Sequence, residues 1–261
     1  MKKFYVIGNN SSKSLSPTIF NHWFKKYKID ASYGFVQTHP DNFKKNIGDI
    51  MSDKKVVGIN ITIPFKKNII GFVQKLDKHS VKINAVNCLY IKSKTQGYNT
   101  DWEGYKKSLP KKFDFRNNNI IILGYGGAAQ AIHYLFEYRG AKNIKVFNRS
   151  KKKLKFTKRN KYCFSLDKLK EHLNTADLII NTTPTNPLKR AEAKLVPKKT
   201  IVSDIVYSPK DTKFLNQFNG NKKIFGISML LYQAEICFKI WFGFYPKIDK
   251  ELLKTLEKKI S

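Results

Sequence analysis

The chain has 261 residues, a hydrophobic share of 41% and a net charge of +31, from 50 lysines and arginines against 19 acidic residues. That length suits one large domain or two modest ones of about 100–200 residues; no apolar run reaches the roughly 18 residues of a membrane span, and three scattered cysteines (Cys88, Cys163, Cys237) without a CxxC pair argue against a disulfide framework and for a reducing cytoplasm. The charge would attract anionic ligands and would suit a nucleic-acid partner, but the lysines are spread along the whole chain rather than gathered in one arm, so compositional drift is the plainer reading and no specific nucleic-acid partner is expected.

In chain order, residues 4–8 read as a first β-strand, because the apolar run after Lys2-Lys3 is too short for a signal peptide. Pro17 opens a helix where its missing N–H costs nothing, with Ser16 as N-cap, and Ile19, Phe20, Trp23, Phe24 and Tyr27 follow at helical spacing. Residues 33–36 are a short strand. The alternating VVGINITI, 56–63, is a strand stopped by Pro64, and residues 85–91 are another; a helix starts near Asp101. A second run of elements begins near Asn119: strand 120–123, a glycine turn, helix 128–138 closed by Gly140, and strand 144–147. Strands at 178–181, 201–206 and 224–225, an apolar-faced helix at 228–242 and a lysine-rich surface helix from Lys247 complete the chain. Strands alternating with helices imply an α/β fold with parallel strands.

The segment IIILGYGGAAQAI carries G-x-G-x-x-A at Gly124, Gly126 and Ala129, after a strand and opening a helix. The first glycine makes the tight turn, the second lets backbone approach a pyrophosphate, and the small third residue lets helix and strand pack closely. The helix N-terminus then presents free N–H groups to the phosphates. At the end of the next strand an NAD site has an acidic residue for the ribose 2′-OH. This chain has Asn148, Arg149 and Ser150 followed by Lys151, Lys152 and Lys153, which would grip a 2′-phosphate, so NADP(H) is favoured over NAD(H).

Lys66 ends GINITIPFK just after a strand, and Asp101 in YNTDWEG opens a helix. A lysine and a carboxylate across a cleft suit ketone reduction: the ammonium gives the oxygen its proton while hydride reaches the carbon. The bland alternatives are that Lys66 is one lysine among many and that Asp101 serves a helix N-terminus. Ser14 and Ser16 offer hydroxyls for a carboxylate. His22, His39, His79, His133 and His172 show no metal spacing, and no metal is expected.

In order, SLSP, NITIPFK, AVNC, GYNTDWEG, LGYGGAA, FNRS, DIVYSP and GISMLLYQAE closely resemble the shikimate dehydrogenase family over nearly the whole chain. The resemblance implies an N-terminal α/β substrate-binding domain over residues 1–101, completed by helices at about 228–261. A C-terminal Rossmann-like NADP-binding domain over 102–227 would face it across a cleft. It implies reversible NADPH-dependent reduction of 3-dehydroshikimate to shikimate by a cytoplasmic enzyme, monomeric or homodimeric. Lys66 and Asp101 match the catalytic pair, and Ser14, Ser16, Thr62, Asn87, Asp101, Tyr207 and Gln233 match the substrate-binding set. Gly124, Tyr125, Gly126, Gly127 and Ala128 match the pyrophosphate turn, Asn148 to Lys153 the 2′-phosphate loop, and Ile205 and Gly226 the nicotinamide side. The chain departs from the family's pattern at Lys13, where histidine is common, and at Asn84, where glycine is usual, which implies an altered turn. It departs again at Tyr125, which replaces a small residue and could narrow the pyrophosphate site, and in NTTPTNP, which lacks the usual Gly-Met. The rivals are an NAD-using quinate/shikimate dehydrogenase of the same fold and, from another class, a basic nucleic-acid-binding protein.

Overall fold

The computed structural model describes residues 1–149 and 163–260. The chain divides into two compact units, Met1–Gly104 with Leu231–Lys258, and Tyr105–Leu230 with Lys259–Ser261.

The first unit opens with β1 (Lys2–Gly8), α1 (Ser16–Lys26), β2 (Ala31–Gln37), α2 (Phe43–Ser52) and β3 (Val56–Ile61). It continues through β4 (Lys75–Leu76), α3 (Lys78–Ile83), β5 (Cys88–Tyr90) and β6 (Gln96–Tyr98), and ends within α4 (Asp101–Ser108). Its six strands form one sheet in the order β2-β1-β3-β5-β6-β4. β1 runs parallel to both β2 and β3, whereas β5 is antiparallel to β3 and to β6.

The α1 residues spaced for one face are the ones that pack: Ile19, Phe20, Trp23 and Phe24 are buried, and Phe20 stacks on Tyr33 of β2 with ring centroids 4.5 Å apart. Ser16 does not cap this helix. It lies in the first turn, Leu15 holds the N-cap position, and no side chain caps the end; the backbone is already helical at Leu15, one residue before Ser16. The apolar positions of α2, Phe43, Ile47, Ile50 and Met51, follow helical spacing and join the core under β3, although the sequence pattern is interrupted by Gly48.

The second unit contains β7 (Asn119–Leu123), α5 (Gly127–Tyr138), β8 (Asn143–Asn148), β9 (Cys163–Ser165) and β10 (Leu178–Asn181). After these come α6 (Arg190–Ala193), β11 (Ile201–Asp204) and β12 (Lys223–Ile224). The sheet order is β12-β11-β10-β7-β8-β9 and every pairing is parallel. Ile120 to Leu123 and Leu178 to Ile180 are all buried, as continuous apolar runs in a sheet covered on both faces must be. α5 ends in a paired cap: Gly140 N–H donates to Glu137 O at 3.0 Å and Ala141 N–H to Phe136 O at 2.9 Å. A ten-residue 3-10 segment, Leu166–Thr175, covers this sheet through the buried Leu169 and Leu173.

Two helices close the chain, α7 (Gly226–Phe242) and α8 (Lys250–Ile260). Within the first unit, Trp241 of α7 packs on Phe4 with centroids 4.8 Å apart. α8 is more than a surface helix: Leu252, Leu256 and Ile260, four residues apart, are buried. Among the described residues no helix is long and apolar enough to cross a membrane.

Candidate active site

In the first unit, β3 delivers the chain to a turn that ends in Lys66. The turn is tied down from both sides: Thr62 N–H donates to Ile7 O at 2.9 Å, and Val86 N–H donates to Lys66 O at 2.7 Å. Asp101 stands at the start of α4, where helix geometry favours a carboxylate. The two meet: Lys66 Nζ lies 2.5 Å from Asp101 Oδ2, with side chains 12% and 6% exposed. A buried ion pair costs desolvation unless further hydrogen bonds complete it. Here Asn87 Nδ2 donates to Asp101 Oδ1 at 2.9 Å and the Asp101 N–H donates to Asn99 Oδ1 at 3.1 Å.

Asn87 is held in turn. Its Oδ1 accepts from Thr100 N–H at 2.7 Å, and its Nδ2 also reaches Gln233 Oε1 of α7 at 3.3 Å. Lys66, Asp101, Asn87 and Gln233 therefore gather into one polar cluster. Thr62 sits at the entrance to the Lys66 turn, and the Ser16 N–H donates to Ser14 Oγ at 3.2 Å. Sequence reading missed three members of this interior: Thr100, whose hydroxyl bonds Asn87; Asn60, whose Nδ2 donates to Asn87 O at 3.0 Å; and Tyr33, whose hydroxyl donates to Asn60 Oδ1 at 2.7 Å. Asn60 was legible as a polar interruption of the apolar GINITI, Thr100 as the neighbour of Asp101, and Tyr33 carried no local sign of a partner.

Asn84 adopts φ 57° and ψ 41° at the end of α3, so the altered turn keeps a left-handed residue there, and asparagine is the side chain that tolerates it best after glycine. Lys13 is exposed.

In the second unit, the chain leaves β7 towards β8 and β9 on one side and returns to β10, β11 and β12 on the other. The carboxyl ends of β7 and β10 thus form the switch point where open parallel sheets take ligands. Gly124 is at that point with φ +98°, and a Cβ there would lie 2.7 Å from Thr182 Oγ1 and 2.8 Å from Thr183 Cγ2. Only glycine fits on both counts. Gly126 is the N-cap of α5 with no side-chain cap, and a Cβ built on it would meet nothing within 4 Å. The start of α5 therefore offers its first-turn N–H groups no side-chain acceptor, an arrangement that fits a dinucleotide's phosphates. The rings of Tyr125 and His133 of α5 lie edge to face, with centroids 6.5 Å apart.

Asn148 ends β8 and Arg149 follows it, exposed; Ser150, Lys151, Lys152 and Lys153 lie outside the described residues. Ile205 and Tyr207 belong to the turn after β11, and Gly226 presses against that turn: a Cβ on it would lie 2.5 Å from the carbonyl oxygens of Ile205 and Val206.

A turn shaped for a dinucleotide's phosphates and a lysine able to hand a proton to oxygen are what a nicotinamide-dependent α/β oxidoreductase requires, and the chain is of that class. Two family profiles match it, the shikimate dehydrogenase substrate binding domain over residues 6–89 and shikimate / quinate 5-dehydrogenase over residues 107–219. The chain belongs to the shikimate dehydrogenase family. It is 35% identical to the shikimate dehydrogenase (NADP(+)) of Pyrococcus abyssi, over 99% of this chain and 98% of that one. It is 37% identical to the enzyme of the same name from Clostridium perfringens strain 13, over 100% and 99% of the two chains. The crystal structure of shikimate dehydrogenase from Aquifex aeolicus superposes with a TM-score of 0.88 at 30% identity, covering 98% of this chain and 97% of that one.

Proposed function

We propose that the protein catalyses the reversible NADPH-dependent reduction of 3-dehydroshikimate to shikimate, a step towards aromatic amino acids, with Lys66 and Asp101 as its acid/base pair. The observation that carries the residue assignment is the Lys66–Asp101 contact at 2.5 Å, fixed from behind by Asn87. The cofactor's part is to supply a hydride to the ketone carbon. The Lys66 ammonium, held by one carboxylate oxygen of Asp101, is the donor of the proton that the new alkoxide needs. The other carboxylate oxygen is occupied by Asn87, so Asp101 cannot turn away, and the lysine is aimed before substrate arrives. Asn87, Gln233 and Thr62 supply the amide and hydroxyl groups for the ring hydroxyls, and Ser14 and Ser16 take the carboxylate.

For the cofactor, Gly124 to Ala128 would hold the pyrophosphate, Tyr125 among them, and Asn148, Arg149 and Ser150 to Lys153 would hold the 2′-phosphate. Ile205 and Gly226 would line the nicotinamide side. Support for NADP comes from the relatives' names and from Arg149 standing where an NAD site carries an acid. Free cysteines fit a reducing cytoplasm.

The test is NADPH consumption with 3-dehydroshikimate, run beside quinate oxidation and beside NADH. Lys66→Ala and Asp101→Asn are each expected to lose kcat by about 10²–10⁴-fold, with the lysine variant losing mainly turnover. Full activity in Lys66→Ala would overturn the assignment, and a preference for NADH would overturn the cofactor.

A further inference from the structure

The loop after β10, residues 182–186, forms one wall of the switch point, because Thr182 and Thr183 are the groups that Gly124 abuts. Its shape is dictated largely by one side chain. Asn181, 1% exposed, accepts from Thr183 N–H at 3.1 Å and from the Thr183 hydroxyl at 2.8 Å through Oδ1. Through Nδ2 it donates to Thr185 O at 3.0 Å, to Thr183 O at 3.3 Å and to Asp204 Oδ2 at 3.2 Å. Thr182 N–H and Oγ1 both bind Leu123 O, at 2.9 and 2.6 Å, which carries the loop's position directly to the start of the glycine turn.

Asp204, also 1% exposed, ends β11 and stands behind this arrangement. Its Oδ2 accepts from Asn181 Nδ2 and from the Thr212 hydroxyl at 2.7 Å, and its Oδ1 accepts from Val206 N–H at 3.0 Å. A carboxylate can only accept, so it forces the donor end of the Asn181 amide towards itself and the acceptor end towards Thr183. The flipped amide would set Oδ1 against a carboxylate oxygen and would also lose both Thr183 bonds. The same carboxylate fixes the turn bearing Ile205, whose N–H is bonded to Asn181 O at 3.0 Å.

This carboxylate is an expensive way to hold a fold. Burial pushes it above the ordinary carboxylate range, against the lowering pull of Thr212, Val206 and Asn181.

We propose that Asp204 is a positioning residue for the cofactor: acting through Asn181 and Val206, it sets the loop 182–186 and the turn at Ile205 that flank the glycine turn. The inference rests on the dinucleotide reading of that turn. It predicts that Asp204→Asn, in the full chain, raises the Kd for NADP+ measured by titration calorimetry and the KM for NADPH by about tenfold. The KM for shikimate at saturating NADP+ should change less than the Kd for NADP+. Thr183→Val keeps the methyl that meets Gly124, removes the hydroxyl held by Asn181 and leaves the buried carboxylate alone. It should raise the same Kd by about threefold, and it serves if Asp204→Asn does not fold.

A lowered melting temperature with an unchanged Kd for NADP+ in both variants would overturn the proposal, as would equal losses towards NADP+ and shikimate. A wild type that binds NADP+ but leaves 3-dehydroshikimate unreduced would remove the substrate reading, while the titrations would still judge Asp204.

Discussion

Lys66 shows what one residue reveals and conceals. Its place after a strand made it a candidate, its chemistry suited the reaction, and its partner came only from resemblance, since thirty-five positions separate it from Asp101 and no local rule spans that gap. The supporting side chains were harder still. Asn60 announces a buried polar group within an apolar strand, but that group could have bonded any of several elements; in the structure it is received by Asn87 O and Tyr33. Asn84 illustrates the reverse case, in which a departure from pattern has a local physical solution. Its left-handed backbone should make Asn84→Ala destabilising by about 1–2 kcal/mol. Asn84→Gly should be neutral or nearly so, and thermal denaturation of the two variants checks this. Equal melting temperatures for the alanine and glycine variants would contradict it.

Among the elements, those with unbroken periodicity were legible: β7 and β10 as apolar runs, α1 and α5 as faces, and the glycine turn as a break between them. α2 escaped because Gly48 dilutes its stripe, and β9 because three residues carry no period. α8 was placed correctly as a helix, but its buried face was hidden by lysines that outnumber the leucines beside them. Its docking has a titratable latch. Asp249 Oδ1 accepts from Leu252 N–H at 2.9 Å at the first turn of α8, and the Asp249 carboxylate also meets Lys26 and His22 of α1. Burial alone would raise this carboxyl; the Leu252 N–H, Lys26 and His22 outweigh it and hold it well below the ordinary carboxylate range. A lowered folded pKa contributes stability that is present above the unfolded value of about 3.9 and is lost as pH falls towards the folded one. Asp249→Asn should therefore melt earlier than wild type at neutral pH, with the gap closing as pH is taken from about 5 towards about 2. A gap that ignores pH would show that the latch does not titrate in this window.

For the whole molecule, the charge of +31 was visible at once, and it is a property of field rather than of fold. Both proposed ligands are anions. The kcat/KM for shikimate should fall as ionic strength rises from about 0.01 M to about 0.5 M, chiefly through faster capture at low salt. A salt-independent kcat/KM would mean that the scattered lysines do not steer. The division into units could not be read from periodicity, because the segment Leu231–Lys258 looks like any helical stretch until Gln233 and Trp241 are seen among residues from the other end of the chain. That division sets an order of events at the ribosome. The stretch Met1–Gly104 is made first yet lacks the α7 side chains that complete its interior, whereas nearly all of the second unit is one continuous stretch. The later-made unit can settle while the earlier one still waits with Leu89 and Asn87 short of their partners, so the first-synthesised half of this protein should be the last to become resistant to a protease during translation.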